Sequence, residues 1–371
     1  MSTDHHIALL GLGTIGLSML ALHLRRRDTK VTVYDPRPDY EKQLRSMLPG
    51  FLDAGFVSPT AEQPIPKTEI VDHLLKNNRL FLASSIAEAV QHATIIQEQS
   101  PEVTASKQAV WQEVTKTAAP TAHLWSSSSG VGASTQAAGN NTDTSVAARL
   151  LVAHPFNPPH LMPIIELVPG EQTDPDRVDF AREYFCAVPG PTLPASTAAG
   201  VAAVASASAA QASSEPQASL YYRPITLQRE IPGFVGNRLA FALLREACYL
   251  VNEGVVSARD LDAIVTASIG PRWAVSGVFE SYHAGGGAGG INAFLQKLAP
   301  TIDETWRGLG QLEMSKPGDP TEPLQRPWRN TVVRQTEEAY GPYTAQTKQK
   351  KDEMLRTTIE MQTKCWGELE S

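Results

Sequence analysis

His154 and Glu166 are the residues whose types and spacing first point to chemistry. They lie in AHPFNPPHLMPIIELVPG, residues 153–170, where the histidine ends an aliphatic run and Pro155, Pro158 and Pro159 follow it. Glu166 stands between Ile164-Ile165 and Leu167-Val168, inside what reads as a buried strand. A carboxylate there is costly by itself. A histidine partner offsets that cost: the carboxylate holds one ring nitrogen and stabilises the imidazolium when a proton arrives. The prolines restrict the backbone beside the histidine and so fix where its ring sits. This makes His154 a candidate general base near neutral pH. The same spacing also suits a structural His–Glu pair that does no chemistry. Oxidising a secondary alcohol needs a base for the hydroxyl proton, a hydride acceptor, and hydrogen-bond donors for the oxygen that becomes a carbonyl. Ser126–Ser129, after HLW, and Asn237, in PGFVGNR, could supply such donors, although each reads equally well as a loop or cap residue.

The hydride acceptor has its own signature. Gly11-Leu12-Gly13-Thr14-Ile15-Gly16 follows a strand and opens a helix, the context in which G-x-G-x-x-G signals a dinucleotide. The first glycine allows the tight turn, the second lets a pyrophosphate reach the backbone, and the third lets helix and strand pack closely. Free N–H groups at the helix start favour the phosphates. Asp35 ends the next strand, KVTVYD, where an acid accepts from the adenosine ribose and repels a 2′-phosphate. NAD is therefore expected over NADP, with Arg37 nearby softening that preference.

The elements that must position these residues alternate. Strands are expected at IALLGL, KVTVYD, RLFLAS, TIIQEQ, HLWSSS, RLLVAH, PIIELV and PITLQ, with helices after Gly13 and at IAEAVQHA, KQAVWQEVTKTA and DRVDFAREYF. Such alternation predicts a largely parallel sheet covered on both faces. Beyond residue 230 the apolar spacing becomes helical, in GNRLAFALLREACYLVNEG, SARDLDAIVTASI and GGINAFLQKLAPTIDETWRGL. The second of these opens with a Ser-x-x-Asp capping pattern. AQTKQKKDEMLRTTIEMQTKCW reads as a charged amphipathic tail helix. The expected fold is α/β: a Rossmann dinucleotide-binding domain over 1–230, followed by an all-α domain over 231–371. Residues 192–219 are almost entirely Ala, Ser, Thr and Gly, and read as a surface insertion.

Bulk properties narrow the class. Hydrophobic residues make up 42% of the 371 and charged ones 19%, an ordinary globular balance. A formal charge of −7 argues against nucleic acid as the main partner. Cys186, Cys248 and Cys365 are odd in number and far apart, so neither a disulfide framework nor a metal site is expected. No apolar run is long enough to span a bilayer, and the opening MSTDHHIALLG leaves no room for a signal peptide. A cytoplasmic protein is expected, with no membrane partner.

Taken in order, GLGTIG, QEQSPE, SSSSG, HPFNPP, IIELVPG and PGFVGNRL resemble the L-3-hydroxyacyl-CoA dehydrogenase superfamily from about residue 7 to 310. GPRWAVSGVFESYHAGG and the charged tail look most like its lambda-crystallin (L-gulonate 3-dehydrogenase) and carnitine dehydrogenase branch. The resemblance implies an NAD-dependent dehydrogenase acting on a 3-hydroxyacyl-CoA or a small 3-hydroxy acid, dimeric through the helical domain. It implies His154 as base, Glu166 as its partner, Ser129 and Asn237 as substrate contacts, and Glu102 and Lys107 near the nicotinamide ribose. Ser127 stands where many members carry an asparagine, the loop containing TQAAGNNTDTS is slightly longer than usual, and four serines in a row leave the assignment of Ser129 open to a register shift. Two other readings remain. One is a crystallin-like dinucleotide-binding protein without catalysis, which the intact Ser, His, Glu and Asn set disfavours. The other is a hydroxy-acid dehydrogenase with a lysine base, Lys107 being the candidate.

Overall fold

The computed structural model describes residues 5–52, 65–138, 145–190, 221–314 and 327–369. The expected insertion at 192–219 and part of the longer loop, 139–144, lie outside them. Eight strands form one sheet: β1 (His5–Leu10), β2 (Thr29–Tyr34), β3 (Leu80–Leu82), β4 (Ile95–Glu98), β5 (His123–Ser126), β6 (Leu150–Pro155), β7 (Ile164–Pro169) and β8 (Arg223–Thr226). Their order is β3-β2-β1-β4-β5-β6-β7-β8. All neighbours are parallel except β6 and β7. That exception has a simple cause. The link from β6 to β7 is the short proline-rich stretch FNPPHLMP, and a parallel return needs a crossover of roughly a dozen residues or more. The chain therefore reverses, and His154 comes to pair with Glu166 in register.

Strands of this sheet are apolar on both faces because both faces are covered. Ile7, Leu9, Val31, Val33, Leu151, Ala153 and Leu167 belong to one core, with Leu17, Leu20 and Phe185 packed on them. Ala8, Leu10, Ile96, Leu124, Val152 and Val168 belong to the other, with Trp111 and Phe234. Alternation along β6 and β7 puts His154 and Glu166 on the second face, in line with Val152 and Val168. The proline-rich link is pinned at two points. The Tyr222 hydroxyl donates to Pro159 O at 2.7 Å, and the His160 N–H donates to Ser18 Oγ at 2.9 Å.

The chain divides into two compact units, one of Met1–Val235 with Met354–Ser371 and the other of Gly236–Glu353. The end of the tail helix (Ala345–Leu369) thus groups with the sheet-bearing unit, although the sequence pattern placed it in the helical domain. The second unit is helical, with long helices at Gly236–Asn252, Gly290–Gly308 and Pro327–Tyr340. The expected cap is present: Ser257 Oγ accepts from the Asp260 N–H at 3.2 Å and opens the helix Ala258–Ile264. Among the described residues no helix is long and apolar enough to cross a membrane.

Candidate active site

The functional residues gather where the parallel strands end. Leu10 lies level with Glu98, Glu98 with Ser126, and Ser126 with Val152. Just past that row come Gly11, the serines and His154, at the carboxyl edge where open α/β sheets bind ligands.

The glycine turn fits a dinucleotide. Gly11 has φ +100°, and a Cβ there would lie 2.8 Å from Gln99 O. A Cβ on Gly16 would lie 2.1 Å from Gly11 O, so turn and helix pack too closely for any side chain. Gly13 differs: a Cβ would meet nothing within 4 Å, leaving an open cradle for a pyrophosphate. The helix Thr14–Leu24 begins beside it with no side-chain cap, so its first N–H groups remain for an anion. Asp35, buried to 6% exposure, accepts from the Leu12 N–H at 2.7 Å and ties the acid to the turn.

His154 and Glu166 form the pair expected. His154 Nδ1 lies 2.7 Å from Glu166 Oε2, both side chains being about 5% exposed or less. A carboxylate accepts, so Nδ1 is the donating nitrogen, and in a neutral imidazole held this way the lone pair lies on Nε2. Among the described residues no group bonds Nε2. Phe156 and Phe234 pack beside the imidazole, with ring centroids 5.1 and 5.4 Å away. The second oxygen, Glu166 Oε1, accepts from the Val235 N–H at 3.1 Å, which anchors the carboxylate from behind.

A second charged constellation joins Glu98, at the end of β4 and not expected from the sequence, to Lys107 and Glu102, which were expected near the cofactor. Glu98 is fully buried and ion-pairs with Lys107 at 3.2 Å. It also accepts from Ser126 Oγ at 2.7 Å and from the Ser100 N–H at 2.5 Å. Lys107 reaches Ser100 O and Glu102 Oε2, each at 3.2 Å. Its three donor positions are thus engaged, and the side chain is 1% exposed. Glu102 gathers the serine turn, accepting from Ser128 Oγ at 2.5 Å and from the N–H groups of Ser129 and Gly130 at 2.9 and 2.7 Å. Burial would raise its carboxyl, but Ser128, Lys107 and the Gly130 N–H outweigh burial and hold it low.

The four serines therefore have four different positions. Ser126 serves Glu98, Ser127 accepts from Gln97 Nε2 at 2.9 Å, Ser128 serves Glu102, and Ser129 is exposed at the turn. Gln97 in turn lies 2.6 Å from His23 Nε2, in a buried chain that ends on Tyr184. Asn237 opens the helix Gly236–Asn252 in the other unit, two residues beyond Val235. The sequence signal for Glu98 was present: an acid among Ile95, Ile96 and Gln97, with a lysine nine positions on.

A Rossmann sheet with a fitted dinucleotide turn and a His–Glu pair at its carboxyl edge, followed by a helical unit, defines an NAD-dependent dehydrogenase acting on a CH–OH group. The comparisons agree. Residues 6–191 match the 3-hydroxyacyl-CoA dehydrogenase NAD binding domain, and residues 233–309 match the C-terminal domain of that family. The chain belongs to the 3-hydroxyacyl-CoA dehydrogenase family. It is 31% identical to an L-carnitine dehydrogenase of Mesorhizobium japonicum, over 83% of this chain and 72% of that protein. It is 32% identical to a 3-hydroxyacyl-CoA dehydrogenase of Gibberella moniliformis, over 80% of this chain and 78% of the relative. Among solved structures, an NAD-dependent 5-formyl-3-hydroxy-2-methylpyridine 4-carboxylic acid 5-dehydrogenase shares the fold, with TM-score 0.66 at 24% identity, over 96% of this chain and 97% of that one.

Proposed function

We propose that the protein oxidises the 3-hydroxyl of a small L-3-hydroxy acid, of the L-carnitine type, to the ketone. The observation that carries this reading is the buried His154–Glu166 pair at the sheet edge, Nδ1 held and Nε2 available. Bound NAD supplies the hydride acceptor. His154 Nε2 takes the hydroxyl proton, and Glu166 stabilises the imidazolium that results. Ser129 and Asn237 are the proposed donors to the developing carbonyl oxygen, on the strength of their sequence motifs. Glu102 fixes the serine turn that carries Ser129, and Lys107 holds Glu102. The carnitine-type substrate draws support from the relative in Mesorhizobium japonicum, and a 3-hydroxyacyl-CoA is the second reading, supported by the relative in Gibberella moniliformis.

The test is NADH formation with L-carnitine, L-gulonate, 3-hydroxybutyrate and 3-hydroxybutyryl-CoA. Turnover of a free acid is expected. A preference for the thioester would transfer the assignment to the second reading, and silence with all four would sink both.

We also propose a homodimer through the helical unit. Leu239, Phe241 and Leu244 on one helix are 61%, 59% and 55% exposed, and Phe279 on another is 79% exposed, more large apolar surface than a monomer commonly shows. Light scattering should give twice the chain mass. The free thiols of Cys186 and Cys248 suit the proposed cytoplasmic location.

A further inference from the structure

The ribose-binding acid is already occupied. Asp35 Oδ1 accepts from the Arg37 N–H at 3.0 Å and from Arg37 Nε at 2.7 Å. Oδ2 accepts from the Leu12 N–H at 2.7 Å and from Arg37 Nη2 at 2.8 Å. A carboxylate offers about four acceptor sites, and these four bonds fill them. Ribose hydroxyls bind by donating to the same oxygens. Two of the four donors are backbone N–H groups, that of Leu12 in the glycine turn and that of Arg37 just past β2, and the course of the chain fixes both. The guanidinium can. The Arg37 side chain is 42% exposed while that of Asp35 is 5% exposed, and one further bond, Arg37 Nη1 to Gln43 Oε1 at 2.9 Å, steadies it.

We propose that Arg37 sets both dinucleotide affinity and dinucleotide choice: closed on Asp35 it competes with the adenosine ribose, and swung away it offers its fork to a 2′-phosphate. The inference rests on the dinucleotide reading of the Gly11–Gly16 turn. Arg37 opposes NAD because binding must first break its bidentate pair. It favours NADP because a planar fork matches a phosphate, which also relieves the repulsion that Asp35 exerts there. Charge agrees with the geometry. Burial would raise the Asp35 carboxyl, but the bonds from Arg37 and Leu12 prevail and hold it below its usual range.

The experiment compares the full-length protein with Arg37→Leu and Arg37→Lys, titrating NADH and NADPH by nucleotide fluorescence. Arg37→Leu should bind NADH about two- to fivefold more tightly, the scale of a partly exposed ion pair. The same variant should bind NADPH about fivefold or more weakly. Arg37→Lys loses the fork but keeps the charge, and should fall between wild type and Arg37→Leu for both nucleotides. Opposite signs for the two nucleotides are the expected result. Weaker NADH binding by a folded Arg37→Leu, or a shift of both nucleotides in one direction, would overturn the proposal. Wild type that binds neither nucleotide would instead overturn the dinucleotide reading beneath it.

Discussion

Two charged constellations sit at the same sheet edge and differ in how completely they are satisfied. Glu98, Lys107 and Glu102 use their bonding capacity on each other and on the serine turn. His154 and Glu166 leave one imidazole nitrogen over. A closed network fixes a backbone, whereas a proton-transfer group needs one atom unspent and the rest held still. The closed network shapes the turn against which the open pair is proposed to work.

Breaking the closed network should cost most in stability. Lys107→Met leaves Glu98 buried and unpaired, so a loss of about 3–5 kcal/mol is expected, read from chemical denaturation. A loss under about 1 kcal/mol would show that the network is not tight. Acid should act next. His23 is fully buried, and burial outweighs the opposing bond to Gln97 and lowers its pKa to about 4. His123 is lowered to about 4 as well, chiefly by burial. Both are kept neutral when folded but protonate near 6.5 when unfolded, so the unfolded state binds more protons between those values. Stability should be full above pH 6.5 and fall as pH drops toward 4, with His23 contributing on the order of 3 kcal/mol. A denaturation midpoint that stays flat across that window would contradict the sealed setting of His23. The smallest effect belongs to Ser128→Ala. It removes one donor to Glu102 and one acceptor for the Val131 N–H. A cost of about 1 kcal/mol is expected, with NADH affinity little changed.

Much of the site was legible in the residues because it violates local expectation. Glu166 in an aliphatic strand demanded a partner, and the short link after His154 forced the reversal that supplies one. The glycine turn was legible because each glycine has a separate steric reason. What could not be read depends on strand order. Glu98 meets Ser126 because β5 lies beside β4. The contacts that Lys107 makes with two carboxylates, Glu98 and Glu102, likewise depend on how the strands are laid side by side. A run of identical serines carries no information on which hydroxyl faces which partner, since backbone geometry alone separates them. Asp35 was recognised, but its capture by Arg37 is a matter of rotamer and reach.

His154 is proposed as the base and Glu166 as the group that holds it. The most direct measurement is single-turnover NADH formation by wild type and by His154→Gln on the best substrate, with NADH affinity measured alongside. The expected result is a fall of about 10²–10⁴-fold in the rate, with the nucleotide dissociation constant unchanged. Turnover within tenfold of wild type would show that His154 is not the base.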